Sequence, residues 1–269
     1  MKDSKGYLKR MEKSMREKLF FIQHMDLDNK IIIDFGAANG ALVKELIKMN
    51  FENTTYFCVE KNEEFFEECK KLEKEKTADV YVFGGLTEVE MWLRHNKQYG
   101  QETREVVLIC SSVMHELTPK MQRSVVGFSR AYCDYMVVRD MFFEYNSIPE
   151  EKEKDILEKI ICLAPRPDLM QQFFYLRGLS EKSIAEYLLK YSYIENWNTE
   201  VNEKYLDVDW VNIKYFETKE VEVEVIYENY YTNSFIASRV YDTFSIRMNW
   251  YTHGQIILKM KRIEVNDYE

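Results

Sequence analysis

The 269-residue chain is 46% apolar and carries a formal net charge of −9. That is enough apolar material for one substantial core with an elaboration, and the wrong sign for broad binding along nucleic acid. Five cysteines without a Cys-x-x-Cys pair, and histidines (His24, His95, His115, His253) without ligand spacing, argue against a disulfide framework and against a metal site. The N-terminus is charged and no apolar run approaches the roughly 20 residues of a membrane span, so the expected compartment is the cytoplasm, with no membrane partner.

Residues 1–25 read as one amphipathic helix, with Tyr7, Leu8, Met11, Met15, Leu19, Phe20 and Ile22 near one face. It either packs on the domain edge or lies over the site as a lid. Ile31-Ile32-Ile33-Asp34 then predicts a buried strand, Gly36-Ala37-Ala38-Asn39-Gly40 a tight turn, and 41–47 a helix. Glycines in such a turn let backbone N–H groups approach a ligand closely. The second strand, 55–59, ends in Glu60, about 20 residues after the turn, where nucleoside-binding α/β folds place an acceptor for ribose hydroxyls. A third strand, 79–83, runs into Gly84-Gly85-Leu86, and Thr87 with Glu90 predicts a capping box for the helix 87–95.

The most apolar strand, 106–110, opens onto Ser111-Ser112-Val113-Met114-His115-Glu116-Leu117, and Thr118-Pro119 starts another helix. Polar residues clustered at a strand tip suit a ligand site rather than the core. His115 and Glu116 are candidates for contact with a substrate, but point to different sides of the chain. A fifth strand, 135–138, ends at Arg139-Asp140-Met141, which reads as a local ion pair, a pocket wall, or both. Then the strand rhythm stops. Helices are predicted at 150–161, 171–176 and 180–189, and 197–205 would place Trp197, Val201 and Tyr205 on one helical face. Strands at 220–227 and 255–261 flank a helix at 232–241 and close the sheet as a hairpin-like pair. The expected fold is α/β: a doubly wound, mostly parallel seven-stranded sheet with helices on both faces and a helical cap inserted between strands 5 and 6.

The D-x-G-x-x-x-G run from Asp34 to Gly40, together with Glu60, resembles motif I and the ribose-binding acid of class I S-adenosylmethionine (SAM)-dependent methyltransferases. Ser-Ser-Val-Met-His-Glu-Leu, the segment Asn196-Trp197-x-x-Glu200-Val201-x-Glu203-x-Tyr205 and Thr252-His253 are similar to a bacterial and phage-borne branch of that family. The resemblance implies SAM as cofactor, held by Asp34, Gly36, Ala37, Ala38, Gly40, Glu60, Gly85, Leu86, Ser111 and Ser112. It implies His115 and Glu116 as catalytic residues, Arg139, Asp140 and Trp197 at the substrate, and no metal. Packing is the favoured reading of Trp197, ahead of stacking on a substrate. The implied domains are an N-terminal helix or lid (1–25), a SAM-binding core (26–145), a helical cap (146–216) and the last two strands (217–264).

Gly85 stands where the family pattern carries an acid for the adenine amino group, which would shift adenine recognition to the backbone near Leu86. No Asp/Asn-Pro-Pro-aromatic tetrapeptide occurs, no proline precedes Cys110, and Lys44 and Lys120 form no Lys-Asp-Lys-Glu set. The expected acceptor is a small molecule, a protein or RNA, methylated on O or N. The alternative is a SAM-binding fold without catalysis, acting as a binding or regulatory subunit. A nicotinamide oxidoreductase is disfavoured by Ala38, where its turn would carry a second glycine.

Overall fold

Three consecutive isoleucines place the strand β1 (Lys30–Phe35) in the middle of the sheet, because residues apolar on both faces are stable only where both faces are covered. The computed structural model describes residues 14–75, 78–98, 100, 102–215 and 218–263. β2 (Thr55–Val59), β3 (Asp79–Phe83), β4 (Glu105–Ser111), β5 (Tyr135–Met141), β6 (Val221–Tyr231) and β7 (His253–Arg262) complete one sheet in the order β3-β2-β1-β4-β5-β7-β6. β1 pairs in parallel with β2 and β4, β2 with β3, and β4 with β5. The amide of Phe142 bonds the Thr252 carbonyl at one end of β5, and that of Met260 bonds the Asp134 carbonyl at the other, so β7 runs antiparallel to β5. The bonds Thr252 to Tyr231 and Ile263 to Glu220 set β6 against β7 in the same sense. This is the expected α/β, doubly wound, mostly parallel seven-stranded arrangement.

Side chains alternate across the sheet, and each face has its own cover. Ile32, Tyr56, Cys58, Val80, Val107 and Ile109 face a layer built from Leu42, Val43 and Leu46 of the helix Ala41–Met49 and Cys69 and Leu72 of the helix Glu63–Glu75. On the other face Phe57 meets Trp92 of the helix Leu86–Gln98, edge to face with ring centroids 4.9 Å apart.

The described part of the expected N-terminal helix is not continuous. A single turn, Met15–Lys18, gives way at Leu19 to a 3₁₀ turn, Phe20–Gln23. Leu19, Phe20 and Phe21 are all buried, and three successive residues cannot share one α-helical face, so the tighter turn brings them to the core. Tyr7, Leu8 and Met11 lie outside the described residues.

The chain divides into two units: one of residues 14–139, 209–228 and 255–263, the other of 140–208 and 229–254. The second has its own core, in which Ile156 and Ile160, Phe173, Tyr187 and Leu188, and Phe244 belong to the helices Glu150–Leu163, Pro167–Arg177, Glu181–Tyr191 and Ser234–Phe244. Pro167 starts its helix at the first position, where a missing N–H costs nothing. Ser180 and Ser183 cap the next helix reciprocally. Among the described residues no helix is long and apolar enough to cross a membrane.

Candidate cofactor site at the carboxyl ends of β1, β2 and β4

The turn after β1 holds three left-handed residues in five: Gly36 (φ 75°), Ala38 (φ 48°) and Gly40 (φ 72°). The amides of Gly36 and Ala37 both donate to the Val59 carbonyl, at 2.9 and 3.2 Å, which ties the turn to the end of β2. A Cβ on Gly36 would stand 2.6 Å from Val113 Cγ2, and one on Gly40 2.6 Å from Leu72 Cδ1, so both positions need glycine for space as well as for φ. Ala38 has no such licence, and an L-residue in this conformation costs roughly 1–2 kcal/mol. Its amide donates to Glu60 Oε2 at 2.9 Å, and its carbonyl accepts from the Cys69 thiol at 3.1 Å. A hydrogen bond to a carboxylate, worth roughly 1.5–3 kcal/mol, offsets the strain.

Glu60 is buried at the tip of β2, its second oxygen accepting from the Asn62 amide at 2.7 Å. Each carboxylate oxygen keeps a lone pair for another donor. Beside it lies a depression of about 380 Å³ lined by Glu60, Lys61, Glu63, Phe66, Glu67 and Gly84. Gly85, at the tip of β3, has open space where a side chain would stand, and Leu86 begins the helix behind it. The expected Thr87–Glu90 capping box is corrected here. Glu90 engages the Tyr132 hydroxyl at 2.6 Å and Arg94 at 2.8 Å, while Glu88 accepts from the Gly84 amide at 2.9 Å.

Asp34 is buried at the end of β1, and its carboxyl is raised to about 7. Loss of hydration is the main cause; the ammonium of Lys18 pulls it down, and the charge of Glu60 pushes it up.

At the tip of β4, Ser112 takes a left-handed conformation (φ 59°) and donates its amide to the Arg139 carbonyl at 2.7 Å. Arg139 Nη1 donates to Ser112 Oγ and Nη2 to the Glu17 carboxylate, both at 2.6 Å. Arg139, expected beside the substrate, is thus a buried strut between the N-terminal segment and the β4 tip. His115 and Glu116 share a 3₁₀ turn, Met114–Glu116, and part company: the histidine is buried, the glutamate exposed. Gln122 fixes the loop by donating to the carbonyls of Met114 (3.0 Å) and Leu117 (3.3 Å), a role invisible in a helix of mixed composition.

Two expected substrate residues belong to the second unit. Asp140 is fully buried and accepts from the Met141 amide at 2.7 Å. Trp197 is a core residue of that unit rather than an open stacking platform: its indole N–H donates to Gln172 at 2.9 Å, and Phe173 and Tyr187 pack near it, both at 6.2 Å. The helix carrying it is one turn, Trp197–Glu200, shorter than the expected 197–205. Gly36, Ala37, Ala38, Gly40 and Glu60 form one turn-and-acid unit, with Asp34 beneath it. Lys18, Glu17 and Asn62 were not among the expected site residues. Charged residues in an amphipathic segment carry no mark of burial.

No protein-family model matches the chain, and no curated protein matches it by sequence. In structure it is similar to the pyocyanin biosynthetic protein PhzM, at 10% identity and a TM-score of 0.49 over 95% of this chain and 57% of that one. It is similar to PKMT2 from Rickettsia typhi in complex with AdoHcy, at 12% identity and 0.47 over 95% and 53%. It is also similar to the plantazolicin methyltransferase BamL in complex with SAH, at 11% and 0.46 over 96% and 91%. The chain spans little more than half the length of the first two.

Proposed function

We propose that the chain binds SAM at the turn after β1 and transfers its methyl group to an O- or N-acceptor on a small molecule, a protein or RNA. The observation that carries this reading is the Glu60 carboxylate, buried at the end of β2 and hydrogen-bonded to the amide of Ala38 in the glycine turn. The same acid that holds the turn retains lone pairs for a ribose diol.

The residues present fit such a cofactor. Asn39 Oδ1 in the turn and Ser111 Oγ at the tip of β4 are buried without a hydrogen-bond partner. Buried polar atoms left so are rare, and a polar ligand at this edge would satisfy them. Bound there, SAM supplies a methyl group already activated on a sulfonium. The chain's own work is to hold donor and acceptor in line and to receive a proton. In this reading Glu60 accepts from the ribose, Asp34 faces the amino-acid tail, and the backbone at Gly85 and Leu86 meets the adenine. Ser111 and Ser112 border the methyl group. His115, buried at that tip, holds the acceptor's proton, since a neutral imidazole is the base suited to pH 7. The exposed Glu116 is the weaker candidate.

Calorimetry with S-adenosylhomocysteine tests the cofactor, and methyl-labelled SAM against RNA, protein and metabolite fractions tests the transfer. Binding together with incorporation that falls in His115→Ala supports the reading. Absence of binding overturns it, and binding without incorporation into any fraction leaves a SAM-binding module.

A further inference from the structure

We propose that the cavity at the amino ends of β2 and β3 is a second binding site, which takes a small organic ammonium: Asp79 meets its charge, Tyr56 and the loop before β2 accept its hydrogens, and Ile47 and Phe51 cover its apolar body. The site lies at the opposite edge of the parallel strands from the turn after β1 and does not rest on the SAM reading.

The cavity holds about 360 Å³, within the roughly 300–1,000 Å³ of small-molecule sites, and Ile47, Phe51, Asn53, Thr54, Tyr56 and Asp79 line it. Tyr56 is the residue that points to a ligand. β2 is paired on both edges, with β1 and with β3, so what Tyr56 shows the cavity is its side chain. The residue is only 2% exposed, and its hydroxyl makes no hydrogen bond among the described residues. A buried phenol usually finds a partner. Burial first, and the charge of Asp28 second, raise its pKa to about 12, so the group stays a neutral hydroxyl with lone pairs to offer.

The rest of the lining selects the sign of the ligand. Asn53 gives its amide nitrogen to Asn29 Oδ1 at 2.6 Å, and Thr54 gives its hydroxyl hydrogen to the Leu27 carbonyl at 2.8 Å, so what both have left is acceptor oxygen. The helix Ala41–Met49 ends at this cavity, and a helix end of exposed carbonyls carries partial negative charge. Asp79, exposed at the start of β3, is the one charged residue among the described lining. Arg104, the cation whose charge reaches it, is committed to both oxygens of Glu102 and to the Asn53 carbonyl at 3.0 Å. An ammonium carries donors and no acceptor, which suits such a wall, and the ring faces of Phe51 and Tyr56 attract a cation further. A single carboxylate suits a monovalent organic cation rather than a metal, and no group of three metal-ligating side chains stands among the described residues.

The test is a titration of the full chain, followed by amide chemical shifts, with 2-phenylethylammonium and n-pentylammonium, and with 2-phenylethanol and phenylacetate as neutral and anionic counterparts. The expected result is saturable shifts gathered at 47–56 and 78–80, with both ammonium ions bound at least about tenfold more tightly than the alcohol and no saturation by phenylacetate. Asp79→Asn, at an exposed position, should cut that preference to under about twofold, and Tyr56→Phe should weaken the ammonium ions about three- to tenfold. Absence of saturable shifts at these residues up to about 10 mM, or an alcohol bound as well as the ammonium ions, overturns the proposal. So does an ammonium preference that survives Asp79→Asn. Shifts gathered instead at 34–40 and 60 would put the ammonium ions in the turn after β1 and overturn it as well.

Discussion

The carboxylate of Glu60 accepts the amide hydrogen of Ala38 at 2.9 Å, across 22 residues of sequence. One bond joins the tip of β2 to the turn after β1 and stabilises a residue in a conformation that alanine disfavours. Turn and acid are therefore one device: whatever moves the carboxylate also moves the backbone amides that would line a ligand.

Glu60→Gln should show this coupling. Glutamine keeps one acceptor oxygen and turns an NH₂ group toward either the Ala38 or the Asn62 amide, both of which are donors. The expected cost is about 1–3 kcal/mol in urea unfolding, together with at least about a tenfold loss of S-adenosylhomocysteine affinity. Unchanged stability with lost affinity would separate the two roles and contradict the shared device.

The glycines of the turn make a sharper demand. Gly36→Ala places a Cβ 2.6 Å from Val113 Cγ2 at a φ of +75°. Strain and overpacking together should cost about 2–4 kcal/mol. Adding Val113→Ala relieves the clash and leaves the φ penalty, so the double variant should recover only part of the loss. Gly85→Ala, with nothing within 4 Å, should stay within about 0.5 kcal/mol of wild type. Thermal or urea melts of the three variants against wild type check the order, and a costly Gly85→Ala would refute it.

The sheet was largely legible in the residues themselves. Strands β1 to β5 are apolar runs that meet a polar or glycine residue at or beside their carboxyl ends, at Asp34, Glu60, Gly84, Ser111 and Arg139, and β6 alternates Val221, Glu222, Val223, Glu224. What stayed hidden was local or three-dimensional. The helix Trp210–Tyr215 is too short to show a period. Pro167 starts a helix, and proline marks breaks and starts alike. In the site, Asp34, Gly36, Gly40 and Glu60 announce themselves by type and spacing. Lys18 does not, because a buried lysine and a solvated one look the same among Arg16 and Glu17. Trp197 is a different case: an aromatic among amides suits packing or stacking, and its burial against Phe173 agrees with the packing reading that the sequence favours.

In the second unit, Lys190 is fully buried in the segment around Trp197. Its ammonium donates to the carbonyls of Glu200 (2.5 Å) and Glu203 (2.8 Å), lies 3.5 Å from the Glu186 carboxylate and sits 3.7 Å from the Tyr205 ring centroid. Burial lowers the lysine's pKa and raises that of Glu186, so both charges are held at a cost that each reduces for the other. Lys190→Met removes one partner and leaves the others buried, with an expected loss of about 3–5 kcal/mol. Hydrogen exchange should report it as lost amide protection across 181–191 and 197–205. Exchange unchanged there would show the lysine to be a passenger.

Asp34 gives the pH dependence. Its carboxyl is raised from the usual 3.8 to about 7, chiefly by burial, so the folded chain holds this proton more tightly than the unfolded one. The stabilisation from protonation is fully present below about 3.8 and is lost as pH rises through about 7. Asp34→Asn imitates the protonated carboxyl at every pH. Its stability relative to wild type should therefore widen from pH 5 to pH 7, by about 1.4 kcal/mol per pH unit at most, and then level off. Urea unfolding at pH 5, 6, 7 and 8 measures the difference; a flat difference would mean that Asp34 is already ionised throughout. The same proton links to the cofactor. An α-ammonium beside Asp34 favours the carboxylate, so binding at pH 6 should release a proton, and calorimetry in buffers of different ionisation enthalpy should give different apparent heats. Asp34→Asn should abolish that buffer dependence while lowering affinity, because its side chain has no proton to release and no charge to offer the ammonium.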